Sequence, residues 1–184
     1  ELHPPIRRQR QMCIRDSPSA LLSNLTFADN RATAGAGGGI YRSGGVYVNV
    51  WNSSFWSNTG SEGGGLYLAD GSSNFANVSL ISNHGVSYGG GLKVSGDESL
   101  VMESSSLKLN RAGGSGGGMY VGSAVQVQGS NMLYSENVAS ESLGGGGAVY
   151  AEDGSLVSSV GDLYESNQAT QGSGGGLYVA GVSD

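Results

Sequence analysis

Carboxylate side chains are the most reactive feature of this sequence, because paired acids with a nearby cation can cleave polysaccharides by acid and base catalysis. Two adjacent acid pairs occur, Asp97-Glu98 and Glu152-Asp153. The histidine beyond residue 17 is His84, which follows a turn asparagine and has no partner near it in the sequence. The sequence contains no Cys/His cluster, and its glycine triplets lack the Lys-Ser/Thr of a phosphate loop. We therefore expect no catalytic residue, metal or cofactor.

The net charge argues against two classes of partner. The chain carries −6 at pH 7, and residues 1–17 contribute four Arg and two acids to it. The remaining 167 residues carry five basic and 13 acidic groups, a net charge of −8. Nucleic acids and anionic membrane surfaces would repel such a chain, and no apolar run approaches the length of a membrane span. We expect no nucleic-acid partner and no membrane contact.

The first 17 residues differ from the rest of the chain. They contain Cys13 and none of the later repeat pattern. Segment 7–17, RRQRQMCIRDS, resembles one translated reading frame of a common sequencing-adapter end at all eleven residues. We expect residues 1–17 to be a disordered artefact of this kind. The alternative is a basic arm for nucleic acid or a short targeting segment.

The rest of the chain, residues 18–184, is built from repeats. A small-residue triplet and an apolar residue recur six times, starting at Gly37, Gly63, Gly89, Gly116, Gly146 and Gly174. An asparagine, three residues after an aromatic residue or leucine, precedes each triplet at Asn30, Asn58, Asn83, Asn110, Asn137 and Asn167. The distance from the third small residue to the next asparagine is 18 or 19 residues, whereas the return distance varies from 7 to 11. The repeat therefore combines a part of fixed length with a variable loop.

Apolar residues alternate in the fixed part, as in Leu66 and Leu68 on either side of Tyr67, which is the period of a strand with one buried face. Repeats of 26–30 residues have room for three short strands and three turns but are too short for a propeller blade. We predict an all-β fold, a right-handed, single-stranded parallel β-helix (β-solenoid) of about six coils. The apolar ladder from Ile40 to Leu177 should be buried, and the glycines should allow sharp turns with positive φ.

Three sets of residues are candidate sites. An exposed tyrosine row could bind a ligand, although ring stacking between coils alone would also explain it: Tyr41, Tyr67, Tyr120, Tyr150 and Tyr178, interrupted by Lys93. The six repeat asparagines should form a structural ladder at a turn, bonded to backbone or to one another. Three sequons, at Asn24, Asn52 and Asn77, lie six residues before ladder asparagines and could be glycosylated in a eukaryotic secretory pathway.

The repeat resembles that of the chlamydial polymorphic outer-membrane proteins, in which Phe-x-x-Asn is followed by Gly-Gly-Ala and an apolar residue. Phe27 to Asn30 and Phe55 to Asn58 fit the first motif, and Gly146 to Val149 fit the second. The resemblance covers about residues 18–181. It implies a β-helical passenger of an autotransporter-like adhesin at the cell surface, associated with the outer membrane if the source is bacterial. The C-terminal membrane barrel of that family has no counterpart in this sequence.

We therefore expect a secreted or cell-surface structural and adhesive repeat region without catalytic activity, and a fragment of a longer protein. Glycans or cell-surface proteins of a host are the expected partners, and the oligomeric state stays open. One alternative is a carbohydrate-active β-helix, of the polysaccharide lyase or glycosidase kind, with its catalytic coils elsewhere. Another is a purely structural spacer.

Overall fold

The computed structural model describes residues 19–32, 34–140 and 144–181, and every regular element in these ranges is a β-strand. All strand pairs are parallel, and the neighbours of a strand in its sheet belong to the preceding and following coils. The chain is an all-β solenoid of about six turns, which confirms the predicted parallel β-helix. The prediction for residues 1–17 lies outside the described residues.

Three sheets run along the solenoid. The triplet sheet, whose strands follow the glycine triplets, contains β4 (Ile40–Arg42), β7 (Leu66–Ala69), β10 (Leu92–Ser95), β14 (Met119–Val121), β18 (Val149–Ala151) and β22 (Leu177–Val179). The long sheet contains β1 (Ser19–Ser23), β2 (Thr26–Ala28), β5 (Tyr47–Trp56), β8 (Ser72–Ile81), β11 (Ser99–Glu103), β12 (Ser106–Lys108), β15 (Gln126–Ser130), β16 (Leu133–Ser135), β19 (Leu156–Val160) and β20 (Leu163–Glu165). The short sheet contains β3 (Arg31–Ala32), β6 (Thr59–Gly60), β9 (His84–Gly85), β13 (Arg111–Ala112), β17 (Val138–Ala139) and β21 (Gln168–Ala169).

The triplet sheet has the register that the repeat predicted. Leu92 pairs with Leu66 on one side and with Met119 on the other, and all three side chains are fully buried. The predicted burial of the ladder, in contrast, fails at its two ends. Ile40 on β4 is only partly buried. Leu177 has 42% of its surface exposed. It lies on β22, the edge strand of the sheet, so only one neighbouring coil covers it.

The first two residues of a glycine triplet have different roles, as the third triplet shows. Gly89 has a φ of 62°, a conformation that side chains rarely adopt, and it makes the turn. Gly90 has no such constraint, but a Cβ there would collide with the Gly117 carbonyl of the next coil. The predicted positive φ therefore applies to the first glycine, whereas the second is needed for close approach between coils.

A left-handed residue bends each coil in the long sheet. Asn52 in β5 and Asn77 in β8 have φ values of 47° and 54°, and asparagine tolerates this conformation well. The second and third strands of the repeat, expected as separate elements, are therefore one bent strand in these two coils. The short sheet was not predicted, because its two-residue strands are too short to show an alternation of apolar and polar residues.

Polar and apolar residues alternate from coil to coil at the position after this bend. The backbone N–H groups of Leu25, Val78 and Met132 donate to side-chain oxygens of the following coils. The acceptors are Ser53 Oγ at 3.1 Å, Ser105 Oγ at 2.9 Å and Asp162 Oδ1 at 2.9 Å. Every second coil thus supplies a side-chain acceptor for a backbone donor of the coil before it.

Candidate functional site

The inner members of the asparagine ladder, Asn58, Asn83, Asn110 and Asn137, are buried inside the solenoid. The Asn58 Oδ1 accepts from both the backbone N–H and the Nδ2 of Asn30, at 3.0 and 2.9 Å. Its own Nδ2 donates to Asn83 Oδ1 at 3.0 Å and to the Phe27 carbonyl at 2.9 Å. The same pattern continues through Asn83, Asn110, Asn137 and Asn167. The inner amides bond to backbone and to one another, which leaves them little capacity for a ligand.

The tyrosine row lies on the outer side of the triplet sheet. Tyr120 and Tyr150 stack with ring centroids 5.1 Å apart and an interplanar angle of 12°, and Tyr150 and Tyr178 stack at 5.2 Å and 10°. Tyr41 and Tyr67 are 5.4 Å apart and tilted by 46°. The faces of Tyr120, Tyr150 and Tyr178 are therefore turned toward one another, whereas Tyr41, at one end of the row, is 56% exposed.

Lys93 bridges the two halves of the row. Its Nζ lies 5.2 Å from the ring centroid of Tyr67, 5.4 Å from that of Tyr120 and 5.5 Å from that of Tyr88. It also forms a 2.8 Å ion pair with Glu62. An ammonium over several aromatic faces is a stabilising arrangement, so the lysine continues the row.

Tyr120 is the most enclosed member of the row. It is only 7% exposed, against the expectation that the whole row is exposed, because Tyr88 and Tyr150 pack on it and its hydroxyl donates to Glu152. Burial, followed by the hydrogen bond to Glu152, raises the pKa of Tyr120 far above its ordinary value. Burial also raises the pKa of Tyr134, which lies inside the coil against Tyr164.

Both acid pairs are divided by the fold. Asp97 is exposed at a turn, whereas its neighbour Glu98 is buried. Glu152 is partly buried and accepts from Tyr120, and from the Ser123 N–H at 2.8 Å, while Asp153 faces solvent. Neither pair therefore presents two carboxylates to one substrate.

Glu98 belongs to a buried polar cluster that the sequence did not reveal. The Arg42 Nη2 lies 2.5 Å from Glu98 Oε1 and 2.7 Å from Ser73 Oγ, and its Nη1 donates to the Ala69 carbonyl at 2.7 Å. The cluster joins side chains 56 positions apart in the chain. One signal was present, because Arg42 stands at an inward position of β4, where the other coils have an apolar residue.

The histidine candidate of the sequence lies in the short sheet, away from both acid pairs. His84 is exposed on β9, paired in register with Thr59 and Arg111. The described ranges contain no group of three or more His, Cys, Asp or Glu side chains able to hold a metal ion. Nor do they contain an apolar helix long enough to cross a membrane.

The three sequon asparagines occupy the same bend of successive coils and are exposed. Asn77 Nδ2 donates to Asn52 Oδ1 at 2.8 Å, and Asn24 Nδ2 donates to Ser23 Oγ at 3.1 Å. All three have positive φ, so a requirement of the backbone accounts for asparagine at this position.

A groove of about 540 Å³ opens where the triplet sheet turns into the long sheet. Tyr47, Asp70, Ser72 and Asp97 line it, together with Gly45 and Gly71. It forms because only residues 70 and 71 connect β7 to β8, whereas residues 43–46 connect β4 to β5, so the second turn is recessed. This groove could not be predicted from the repeat pattern, because it depends on the lengths of neighbouring turns.

Comparisons of the chain with models of protein families, with curated proteins and with solved structures find no match. The solenoid and its displayed side chains are therefore the basis for a functional assignment.

Proposed function

We propose that this chain is a structural and adhesive repeat region of a secreted or cell-surface protein, without catalytic activity of its own. Its contacts would be made by side chains on the outer faces of the solenoid, with glycans or proteins of another cell surface as partners. The resemblance of its repeats to those of the chlamydial polymorphic outer-membrane proteins supports this context.

One observation carries the proposal. Most polar side chains that could take part in catalysis bond to other groups of the solenoid. Two exposed carboxylates, Asp70 and Asp97, share a groove, but no Lys or Arg is among the described residues that line it. Arg42 and Glu98 pair inside the coil, the inner asparagines bond to one another, and Glu152 accepts from Tyr120. Tyr47, Trp51 and Trp56, in contrast, are exposed. A surface of this type suits binding better than acid and base catalysis, which needs convergent, accessible groups.

A bead-attachment experiment tests this proposal. Beads coated with the full chain should attach to cultured cells or to surface glycans more than beads coated with a denatured sample of the chain. Antibodies against the chain should also label intact cells of the source organism. Equal attachment of both bead types would contradict the adhesive role and leave the spacer.

The rival enzyme class is tested on the same preparation. Incubating the chain with a panel of polysaccharides should produce no new reducing ends and no unsaturated products. Accumulation of either product would show a carbohydrate-active protein instead.

A further inference from the structure

We infer that Tyr47, Trp51 and Trp56, here called the tryptophan strip, bind a neutral polysaccharide chain. This inference rests on the proposed adhesive function and names its contact surface and ligand class. The strip contains both tryptophans of the protein, and all three side chains lie on the outer side of β5. Their exposed fractions are 38% for Tyr47, 41% for Trp51 and 43% for Trp56.

Two members of the strip, Tyr47 and Trp51, have small neighbours on the adjoining coils. Trp51 is in register with Ser23 on the preceding coil and with Ala76 on the following one. Tyr47 is likewise in register with Ser19 and Ser72. Neighbouring strands are only about 4.8 Å apart, so short side chains there leave the flanks of each large ring open.

The ring contacts of the described residues agree with this picture. The stacked and tilted ring pairs involve phenylalanines and tyrosines at other positions, and none of them includes a member of the strip. Trp56 has Ala28 and Ile81 as its neighbours in register, neither of them aromatic. The strip therefore offers aromatic surface that the protein itself does not use.

Polar groups lie between and beside these rings. Asn49 is on the same outer side of β5, between Tyr47 and Trp51, and it pairs in register with Asn74 of β8. No hydrogen bond within the described ranges uses either side-chain amide, so each keeps its two donors and its acceptor oxygen for a ligand. Sugar rings combine an apolar face with hydroxyl groups at their edges, which matches alternating aromatic and amide side chains.

The charge of the adjoining groove selects among polysaccharides. Tyr47 lies at the end of the strip and also lines the groove, together with the carboxylate residues Asp70 and Asp97. Residues 18–184 as a whole carry a net charge of −8. Uronic-acid and sulfated polymers would be repelled, so the ligand class is a neutral polysaccharide.

The length of the strip requires a polymer rather than a monosaccharide. Tyr47 and Trp51 are four residues apart on one extended segment, a separation on the order of 13 Å at about 3.3 Å per residue. One sugar ring cannot contact both side chains. Affinity should therefore increase with the length of the oligosaccharide until both rings are covered.

Affinity gel electrophoresis of the full chain tests the inference, with a soluble β-glucan, a xylan and a mannan as neutral probes and polygalacturonate and heparin as acidic ones. At least one neutral polymer should retard the chain and quench its tryptophan fluorescence, and the acidic polymers should do neither. Trp51→Ala and Tyr47→Ser should each weaken the binding at least tenfold. Leu109→Ala removes an exposed apolar side chain elsewhere and should leave the binding unchanged. Unfolding midpoints verify that each variant is folded.

Other outcomes separate this inference from the proposed function. Attachment of coated beads to cells without retention by any neutral polymer would overturn the inference and leave the adhesive function in place. Binding lost in Tyr41→Ser but kept in Trp51→Ala would overturn it too, and would place the ligand on the tyrosine row. Retention by the acidic polymers would overturn the ligand class. Failure of both bead attachment and polymer binding would remove the inference and the function together.

Discussion

The tyrosine row and the tryptophan strip are two aromatic surfaces of one solenoid that differ in what covers their rings. In the row, Tyr120, Tyr150 and Tyr178 occupy equivalent positions of successive coils, so their rings stack on one another. In the strip, the aromatic residues belong to one coil and are flanked by serine, alanine and isoleucine. The repeated tyrosines therefore pack on one another, whereas the rings of the strip have no aromatic neighbour among the described residues.

The largest expected difference between the two surfaces is in how much their residues contribute to the free energy of unfolding. Tyr120→Ala should lower the free energy of unfolding by about 3 kcal/mol, because it removes an enclosed ring and its stacking on Tyr88 and Tyr150. Trp51→Ala should cost about 1 kcal/mol or less, since its ring is exposed. Urea unfolding of the two variants measures both values. Similar losses would show that the strip is also part of the packing.

The pH at which the chain unfolds in alkaline solution should depend on Tyr120 of the tyrosine row but not on Trp51 of the strip. The folded chain keeps Tyr120 protonated because burial raises its pKa, whereas the unfolded chain ionises this tyrosine near pH 10. Above about pH 10 the unfolded state therefore binds fewer protons, and the free energy of unfolding falls by about 1.4 kcal/mol per pH unit for this residue. Below that pH the tyrosine contributes no pH dependence.

Tyr120→Phe removes the ionising group and should move the midpoint of alkaline unfolding to higher pH. Trp51→Phe is the matched variant of the strip, and it removes no ionisable group. It should therefore not move the midpoint of alkaline unfolding beyond the shift expected from its stability at pH 7. Circular dichroism followed from pH 8 to pH 12 measures both. A midpoint unaffected by Tyr120→Phe would contradict the burial of this hydroxyl.

The smallest expected effect concerns the cation within the row. Lys93→Met keeps most of the side-chain length but removes the charge over the rings of Tyr67 and Tyr120, at an expected cost of about 1 kcal/mol. Lys108→Met, on the long sheet, makes no such contact and should change the free energy of unfolding by about 0.5 kcal/mol or less. Equal effects of the two substitutions would show that Lys93 acts only through net charge.

The solenoid could be predicted because its determinants repeat. Leu66, Leu92 and Met119 each follow a glycine triplet at the same distance, and this spacing predicted their pairing. The ladder asparagines could be aligned in the same way. Leu177 was predicted to be buried by the same logic, but a repeat position does not specify whether a further coil packs against it.

The features that the sequence did not reveal are those that occur once. Arg42 and Glu98 meet only because the coils bring residues 56 positions apart to the same level of the interior. Tyr88 joins the tyrosine row from a loop whose length varies between repeats. Tyr47 and Trp51 stand where other coils have serine, alanine, glutamine, glutamate, leucine or valine, so a comparison of repeats treats them as variation.

The alternation of Ser53, Ser105 and Asp162 with Leu25, Val78 and Met132 has a consequence for how such a chain can grow. Loss of one coil would place two polar residues, or two apolar residues, at this position of neighbouring coils. Where two apolar residues became neighbours, the backbone N–H of one of them would lose its side-chain acceptor. Loss or gain of two coils would preserve the alternation. Gene segments that encode pairs of coils should therefore be duplicated and deleted with less harm than segments that encode one.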